Sequence, residues 1–281
     1  MADDPLRIEY VEARRVLLDT FDALHDHLGA VVLVGAQAVY LRTIGHIPGY
    51  QPFTTDADLV LDPSKLALAP PLGQLMEQAG FVHTAEPGVW EARFTRPGFD
   101  DEIVVPVDLI VPEQLASKAG RRSARLPGEH GKATARKGPG LEGAVVDKAP
   151  MDIAALEAGD TRHVVVNVAG AGALFVAKLH KLGDRLATPA RLEAKDAGDV
   201  YRLFDIATPE EMSALLRRLL EDARSATATE AALDYMRTLF TTPRGTGVQL
   251  ATRALRGTVP AATVEAAITN YVRAVQDDLG S

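Results

Sequence analysis

Two aspartates stand two residues apart inside an apolar, strand-like run, Thr54-Thr55-Asp56-Ala57-Asp58-Leu59-Val60-Leu61. On an extended strand, residues i and i+2 point to the same side, so both carboxylates face one way. Acids in so apolar a run are costly to bury unless they are solvated or bound to a cation. The segment therefore asks for a sheet to take its apolar residues and for water or a divalent metal to take its acids. Ordinary strand-edge acids capping a turn are the plainer alternative. A third carboxylate, Asp108, lies in a second apolar run, Val104-Val105-Pro106-Val107-Asp108-Leu109-Ile110-Val111. It either serves the same cation or pairs with a nearby arginine. Upstream, Leu33-Val34-Gly35-Ala36-Gln37 reads as a strand, a glycine turn and a helix start. Such a junction offers unpaired backbone N–H groups and the positive end of a helix dipole, which together bind phosphate.

The pattern around these motifs is that of a mixed α/β fold. Leu17, Phe21, Leu24 and Leu28 form one helical stripe, with Gly29 where a C-terminal cap belongs. Ala30 to Val34 reads as a buried strand and Ala36 to Arg42 as the helix after it. His46 to Phe53 is a loop, Leu72 to Ala79 a helix, and Val89 to Phe94, Ile103 to Val111 and His163 to Val168 are strands. Ala173 to Leu186 has helical content. Thr208-Pro209-Glu210-Glu211 is a capping box with proline at the first helical position, opening a helix to Ala223. After Pro260, Val264, Ile268, Tyr271, Val272 and Val275 recur at helical spacing. The expected division is a sheet-bearing core over residues 1–168 and an all-helical C-terminal lobe over 169–281.

Composition narrows the function. The chain has 281 residues, 47% of them hydrophobic, enough for a full core. It has no cysteine, so any metal sits on oxygen or imidazole. No apolar run approaches the roughly 20 residues of a membrane-spanning helix, and the first residues are acidic rather than basic. We therefore expect no membrane partner and a cytoplasmic location. A formal charge of −8 argues against non-specific coating of nucleic acid. One stretch runs the other way. Between Lys118 and Lys137, Lys118, Arg121, Arg122, Arg125, Lys132, Arg136 and Lys137 face Glu129 alone. Its glycines and prolines make it a loop or loose hairpin, either a solvated connector or a surface for substrate phosphates.

The order Gly35-Ala36-Gln37, Asp56-Ala57-Asp58, Asp108 resembles the polymerase-β-type nucleotidyltransferase superfamily. The later segments Ala177-Lys178-Leu179-His180-Lys181-Leu182 and Lys195-Asp196-Ala197-Gly198-Asp199-Val200 resemble its AbiEii/MenT toxin-like group. The resemblance covers about Val31 to Phe204. It implies that Asp56 and Asp58 are catalytic Mg²⁺ or Mn²⁺ ligands with Asp108 as the third carboxylate. It also implies that Lys178 contacts the triphosphate and that Asp199, or in competition Asp196, is the late catalytic aspartate. Gly35, Ala36, Gln37, Arg42 and Lys181 complete the implied nucleotide contacts. Without the resemblance, Lys178 and Lys181 read as a helix's solvent face, and Asp196 with Asp199 as partners of Arg202 or Lys195.

The chain departs from the family pattern at the turn. Ala36 and Gln37 stand where a second glycine and a hydroxyl residue are common, leaving the Gln37 amide as the substitute donor. The basic residue common before the acid pair is also missing, since Pro52 and Phe53 occupy that stretch. The resemblance implies an Mg²⁺-dependent transfer of NMP from an NTP to an RNA end, the tRNA 3′ end foremost, as the toxin of a toxin–antitoxin system with a cognate antitoxin protein. Transfer to a protein or small molecule, or a catalytically silent binding module, are the alternatives.

Overall fold

In a computed structural model, residues 8–43, 53–95, 102–117, 122–188 and 192–280 are described. The chain divides into two compact units. The first comprises residues 1–37, 51–138 and 148–168; the second comprises 38–50, 139–147 and 169–281.

The first unit is built on a mixed sheet. Its strands are β1 (Val31–Val34), β2 (Ala57–Leu61), β3 (Val82–His83), β4 (Val89–Thr95), β5 (Glu102–Pro112), β6 (Ser123–Ala124), β7 (Ala135–Gly138), β8 (Lys148–Ala154) and β9 (His163–Ala169). Their order is β3-β4-β5-β2-β1-β9-β8, with β7 beside β5 and β6 beside β7. β1 runs antiparallel to β2 and parallel to β9, and β2 runs parallel to β5. The Val-Val-Leu-Val run of β1 is buried throughout, as a strand flanked on both sides must be.

Helix α1 (Ile8–Ala23) packs on β2 and β5 through Ala13, Val16, Leu17 and Phe21. Leu17 and Phe21 lie in the expected stripe, but the helix does not run on to Gly29. After Ala23 the chain tightens into a 3-10 turn, His25–Ala30, with His27 N–H donating to the Leu24 carbonyl at 2.8 Å. His27 turns inward there and its Nε2 donates to the Pro70 carbonyl at 2.9 Å. A tertiary contact thus ends the α-helical pitch before a glycine cap is needed. Helix α2 (Gly35–Thr43) follows β1 without a linker, and α3 (Leu72–Gln78) lies against α1.

The second unit is helical, as the C-terminal sequence leads one to expect: α4 (Ala171–Gly183), α5 (Ala194–Phe204), α6 (Pro209–Glu221), α7 (Ala226–Phe240), α8 (Thr246–Ala254) and α9 (Ala261–Gly280). α4 packs against α5, α6 and α7, while α9 packs against α6 and α8. Phe175, Leu179, Leu216, Phe240, Val264 and Ile268 fill the centre. The capping box forms: Glu211 N–H donates to the Thr208 hydroxyl at 3.2 Å, and Thr208 N–H donates to the Glu211 carboxylate at 2.8 Å. Strand β8 was not expected from sequence. Its exposures alternate irregularly and Pro150 interrupts its apolar pattern, so no period-2 signal marks it.

Candidate functional site

The sheet order brings three separated motifs side by side. Val34, the last residue of β1, pairs with Asp58 on β2, and Asp58 pairs with Asp108 on β5. Val34, Asp58 and Asp108 therefore lie along one row across three adjacent strands, and Gly35 is the next residue after that row. Asp56, Asp58 and Asp108 are each half-exposed, while Ala57, Leu59, Val107 and Leu109 between and beyond them are buried. The alternation gives the acids one face of the sheet and leaves the apolar residues to the core.

Gly35 has φ +70°. A Cβ at that position would lie 2.1 Å from Asp58 Oδ2. Both the left-handed backbone and the close approach of the carboxylate require glycine here. We expect Gly35→Ala to cost about 1–2 kcal/mol of backbone strain. By displacing the Asp58 carboxylate it should also lower any activity of the site about a hundred-fold. Urea unfolding and an activity assay check the two effects separately, and unchanged activity would remove Gly35 from the site.

Gln37 proves to be a structural residue rather than a phosphate donor. It is 1% exposed. Its amide N–H groups donate to the Ala13 carbonyl at 3.2 Å and the Asp56 carbonyl at 3.0 Å, and its Oε1 accepts from Arg14 Nε at 3.1 Å. Both ends of the amide are used by protein. Arg14 in turn donates to the Ala154 carbonyl at 3.0 Å and the Tyr10 hydroxyl at 3.1 Å. Gln37 thus ties α1, α2 and the approach to β2 together and fixes the backbone that carries Asp56. The Asp56 carboxylate itself accepts from the Thr54 hydroxyl.

Asp108 takes the arginine partner that its sequence left open. Arg136 Nη2 lies 2.7 Å from Asp108 Oδ2. The other oxygen, Oδ1, is buried without a hydrogen bond. Burial pulls the Arg136 guanidinium down, but the hydrogen bond and charge of Asp108, then the charges of Asp58 and Glu86, hold it above its ordinary value. Sequence reading placed Arg136 only in the basic stretch. The usable signal was Ala135-Arg136-Lys137-Gly138, a four-residue strand too short to stand out by alternation.

The Asp56/Asp58 pair, on one sheet face, offers oxygen donors of the kind a hard divalent cation takes. Asp56 and Asp58 are the residues that would hold it. The expected three-carboxylate set is not assembled, because Asp108 is turned to Arg136. Among the described residues no group of three His, Asp or Glu side chains stands close enough to hold a metal.

In the second unit, the lysine and late aspartates do meet. Lys178 on α4 lies 2.9 Å from Asp196 Oδ1 and 2.6 Å from Asp199 Oδ2, both on α5. Lys181 and Arg185 reach Asp196 at 3.3 and 3.5 Å. The Lys178 side chain is 5% exposed and that of Asp199 is 0% exposed. The solvent-face alternative is therefore wrong for Lys178, and its ammonium is spent on two carboxylates inside the helical unit. Arg202, the partner weighed for these acids, instead donates to the Thr43 hydroxyl at 2.8 Å and stacks on Tyr40. Arg42 donates to the Ala169 carbonyl; burial lowers its pKa and the charge of Asp147 opposes that.

The basic stretch contains the antiparallel pair β6–β7, with Ser123 opposite Arg136. Arg122, Arg125 and Lys132 are exposed. Lys118 and Arg121 lie outside the described residues, as does most of the expected loop from His46 to Phe53.

No protein-family model matches the chain. No curated protein matches it significantly either. Among solved structures, it is similar to the crystal structure of an antigenic nucleotidyltransferase-like protein from Paracoccidioides brasiliensis, at 17% identity and a TM-score of 0.42, over 81% of this chain and 95% of that one. A likeness of that degree assigns no activity to this chain. No helix among the described residues is long and apolar enough to cross a membrane.

Proposed function

We propose that the protein is a nucleotidyltransferase that moves NMP from an NTP to an acceptor hydroxyl with release of pyrophosphate. One observation carries this reading: the glycine turn, the Asp56/Asp58 pair and Asp108 come from separated stretches of chain, yet Val34, Asp58 and Asp108 lie in register on adjacent strands, with Gly35 immediately after Val34. Gly35 opens α2 directly from β1, so the first-turn N–H groups of that helix have no helical acceptor and suit a phosphate oxygen. Asp56 and Asp58 would hold a divalent cation of the Mg²⁺ class, which when bound neutralises triphosphate charge and activates the attacking hydroxyl. Gln37 and Arg14 keep the Asp56 backbone in place, and Arg136 fixes Asp108. The acceptor oxygen forms the new bond to the α-phosphorus, and the bond to the β-phosphate oxygen breaks.

For the acceptor we infer RNA, with the tRNA 3′ end as the first substrate to try and a toxin role with a cognate antitoxin as its biological setting. What supports this is the exposed cationic edge of Arg122, Arg125 and Lys132 beside β7, which belongs to the same unit as the acids. Charge reversal of Arg122 and Arg125 should weaken RNA use about ten-fold or more and flatten its salt dependence, with the KM for NTP unchanged. RNA use that survives the double reversal would detach this edge from the acceptor. A small-molecule acceptor has its own support. A cavity of about 230 Å³ with Ile103, Val104 and Val105 in its wall opens at Thr55, next to Asp56, and carries Glu9 and Glu12. Its walls are mostly apolar and Glu12 is already paired with Arg15 at 2.9 Å, so a compact, largely apolar molecule fits it best.

The test is incubation with Mg²⁺, each α-labelled NTP in turn, and total tRNA, beside reactions without RNA. Label on tRNA supports the reading. Label on protein moves the acceptor to a protein hydroxyl. Absence of label on tRNA, protein and a panel of small, largely apolar acceptors would refute transfer and leave a catalytically silent binding module.

A further inference from the structure

We propose that His130 is an acid-sensitive clasp, which holds residues 67–72 against the loop before β7 only while its imidazole is neutral. This device is separate from the chemistry proposed above and would stand without it.

The ring ties together distant stretches of chain. Its Nδ1 accepts from the N–H of Leu72, the first residue of α3, at 3.2 Å, and its Nε2 lies 2.7 Å from the Ala67 carbonyl oxygen. A backbone N–H donates only to an unprotonated ring nitrogen, and a carbonyl accepts only from a protonated one. The partners therefore fix the neutral tautomer, with its proton on Nε2. The residue is 1% exposed. Its backbone is held as well: the Thr134 hydroxyl donates to the His130 carbonyl, and the Trp90 indole N–H donates to the Thr134 carbonyl at 3.1 Å.

A proton on Nδ1 would set one N–H against another, ending the hydrogen bond from Leu72 and leaving two buried donors without an acceptor. Burial pushes the His130 imidazole below its ordinary value; the Ala67 carbonyl opposes that, and the charge of His27 pushes it down further. The His27 ring meets it edge-on, with 5.3 Å between centroids. His27 Nε2 donates to the Pro70 carbonyl at 2.9 Å, and its Nδ1 is buried without a hydrogen bond. On the same turn, His25 and Asp26 pair with each other at 3.2 Å in solvent. Glu77 on α3, His83 on β3 and Glu129 line one cavity with His130. Both glutamates are exposed, as are Lys132 in the same loop and Lys65 after β2, so solvent screens their effect on a buried proton. His83 spends its Nε2 on the Ala133 carbonyl at 2.9 Å.

The sign of the pH dependence follows. An unfolded histidine takes up its proton near pH 6.5. Below that value the open clasp binds more protons than the closed one, so stability rises with pH there. The contribution of the clasp is complete above about pH 6.5 and is lost as pH falls through the folded value. What opens is local. Residues 67–72 lie between β2, which carries Asp58, and α3, while Thr134 runs straight into β7, which carries Arg136. Mild acid would loosen the start of α3 and the chain entering β7 before the rest of the unit.

The experiment follows amide hydrogen exchange of the whole protein at about pH 7.5 and about pH 5.5, with each rate divided by the intrinsic rate at that pH. Opening that captures one proton should be about ten-fold more frequent at the lower pH for the amides of α3, Leu72–Gln78. Helix α9, which contains no histidine, is the control and should not change in step. In folded His130→Asn, which keeps an acceptor at the δ position and does not titrate, the response of α3 should disappear; circular dichroism checks the fold. A rise below about two-fold in the parent, the same rise in the folded variant, or an equal rise in α9 would overturn the proposal. If His130→Asn does not fold, ring-nitrogen magnetic resonance of the parent decides it. A His130 ring still neutral at about pH 6 with the Leu72 amide protected supports the clasp, and a ring that protonates near pH 6.5 with that amide still protected overturns it.

Discussion

Replacing Asp58 by asparagine is expected to reduce nucleotidyl transfer by about a thousand-fold or more while leaving the protein folded. Asparagine keeps the size and shape of the side chain, so the packing of its carboxylate against Gly35 is preserved. What is lost is the charge that would hold a divalent cation in register between β1 and β5. The substitution removes both a like charge beside Asp108 and a charge that attracts Arg136, so thermal stability should change little. An α-labelled NTP assay and a circular-dichroism melt on the same preparation give both readouts. Activity within ten-fold of the parent would show that Asp58 has no part in transfer, whereas joint loss of activity and fold would make it a structural acid.

Lys178→Met should be the most destabilising of the substitutions considered. Lys178, Asp196 and Asp199 form a buried ion triad, with the Lys178–Asp199 contact a close ion pair rather than an aligned hydrogen bond. Methionine fills similar volume without charge. Asp196 keeps Lys181 and Arg185, but Asp199 loses the ammonium it faces inside the helical unit. Breaking one side of a buried pair costs about 3–5 kcal/mol, which urea unfolding at neutral pH would register. A catalytic role limited to triphosphate contact predicts the opposite pattern: a fall in transfer with the unfolding curve in place.

The same triad sets a pH dependence. Burial pushes Asp196 up, but the charges of Lys178 and then Lys181 outweigh it and hold its carboxyl below the ordinary value. A depressed carboxyl pKa contributes stability that is complete above the unfolded value, near 3.9, and is lost as pH falls through the folded value. For Lys178, burial lowers the pKa, but the charges of Asp199 and Asp196 raise it above the ordinary lysine value. Its contribution is complete below about pH 10.4 and is lost as pH rises through the folded value. Stability from this cluster should therefore be flat from about pH 5 to 10 and fall below pH 4. Urea unfolding of parent and Lys178→Met across that acid range checks it, because the substitution should shrink the acid limb.

Much of this architecture was legible in the chain. The strand-like runs around Asp58 and Asp108 declared themselves because acids are rare in such apolar company. Thr208-Pro209-Glu210-Glu211 declared a helix start because a capping box satisfies its donors locally. Gly35 was marked by its place between a buried strand and a helix, and the helical C-terminal half by its periodicity. These signals are local, set by backbone geometry and by the cost of burying charge.

Other features depended on residues far apart in the chain. Sequence did not reveal that Gln37 spends its amide on Ala13 and Asp56, that Asp108 turns to Arg136, or that Lys178 is closed between two aspartates. Each needed a partner whose distance is set by strand order or helix packing. The end of α1 at Ala23 was likewise decided by His27 reaching Pro70, against the stripe that continues to Leu28. The sequence by itself determined the strongly patterned elements and which of them carry acid. Only the tertiary structure decided which charge meets which, because a side chain's electrostatic partner depends on what the fold brings within a few ångströms, not on its neighbours along the chain.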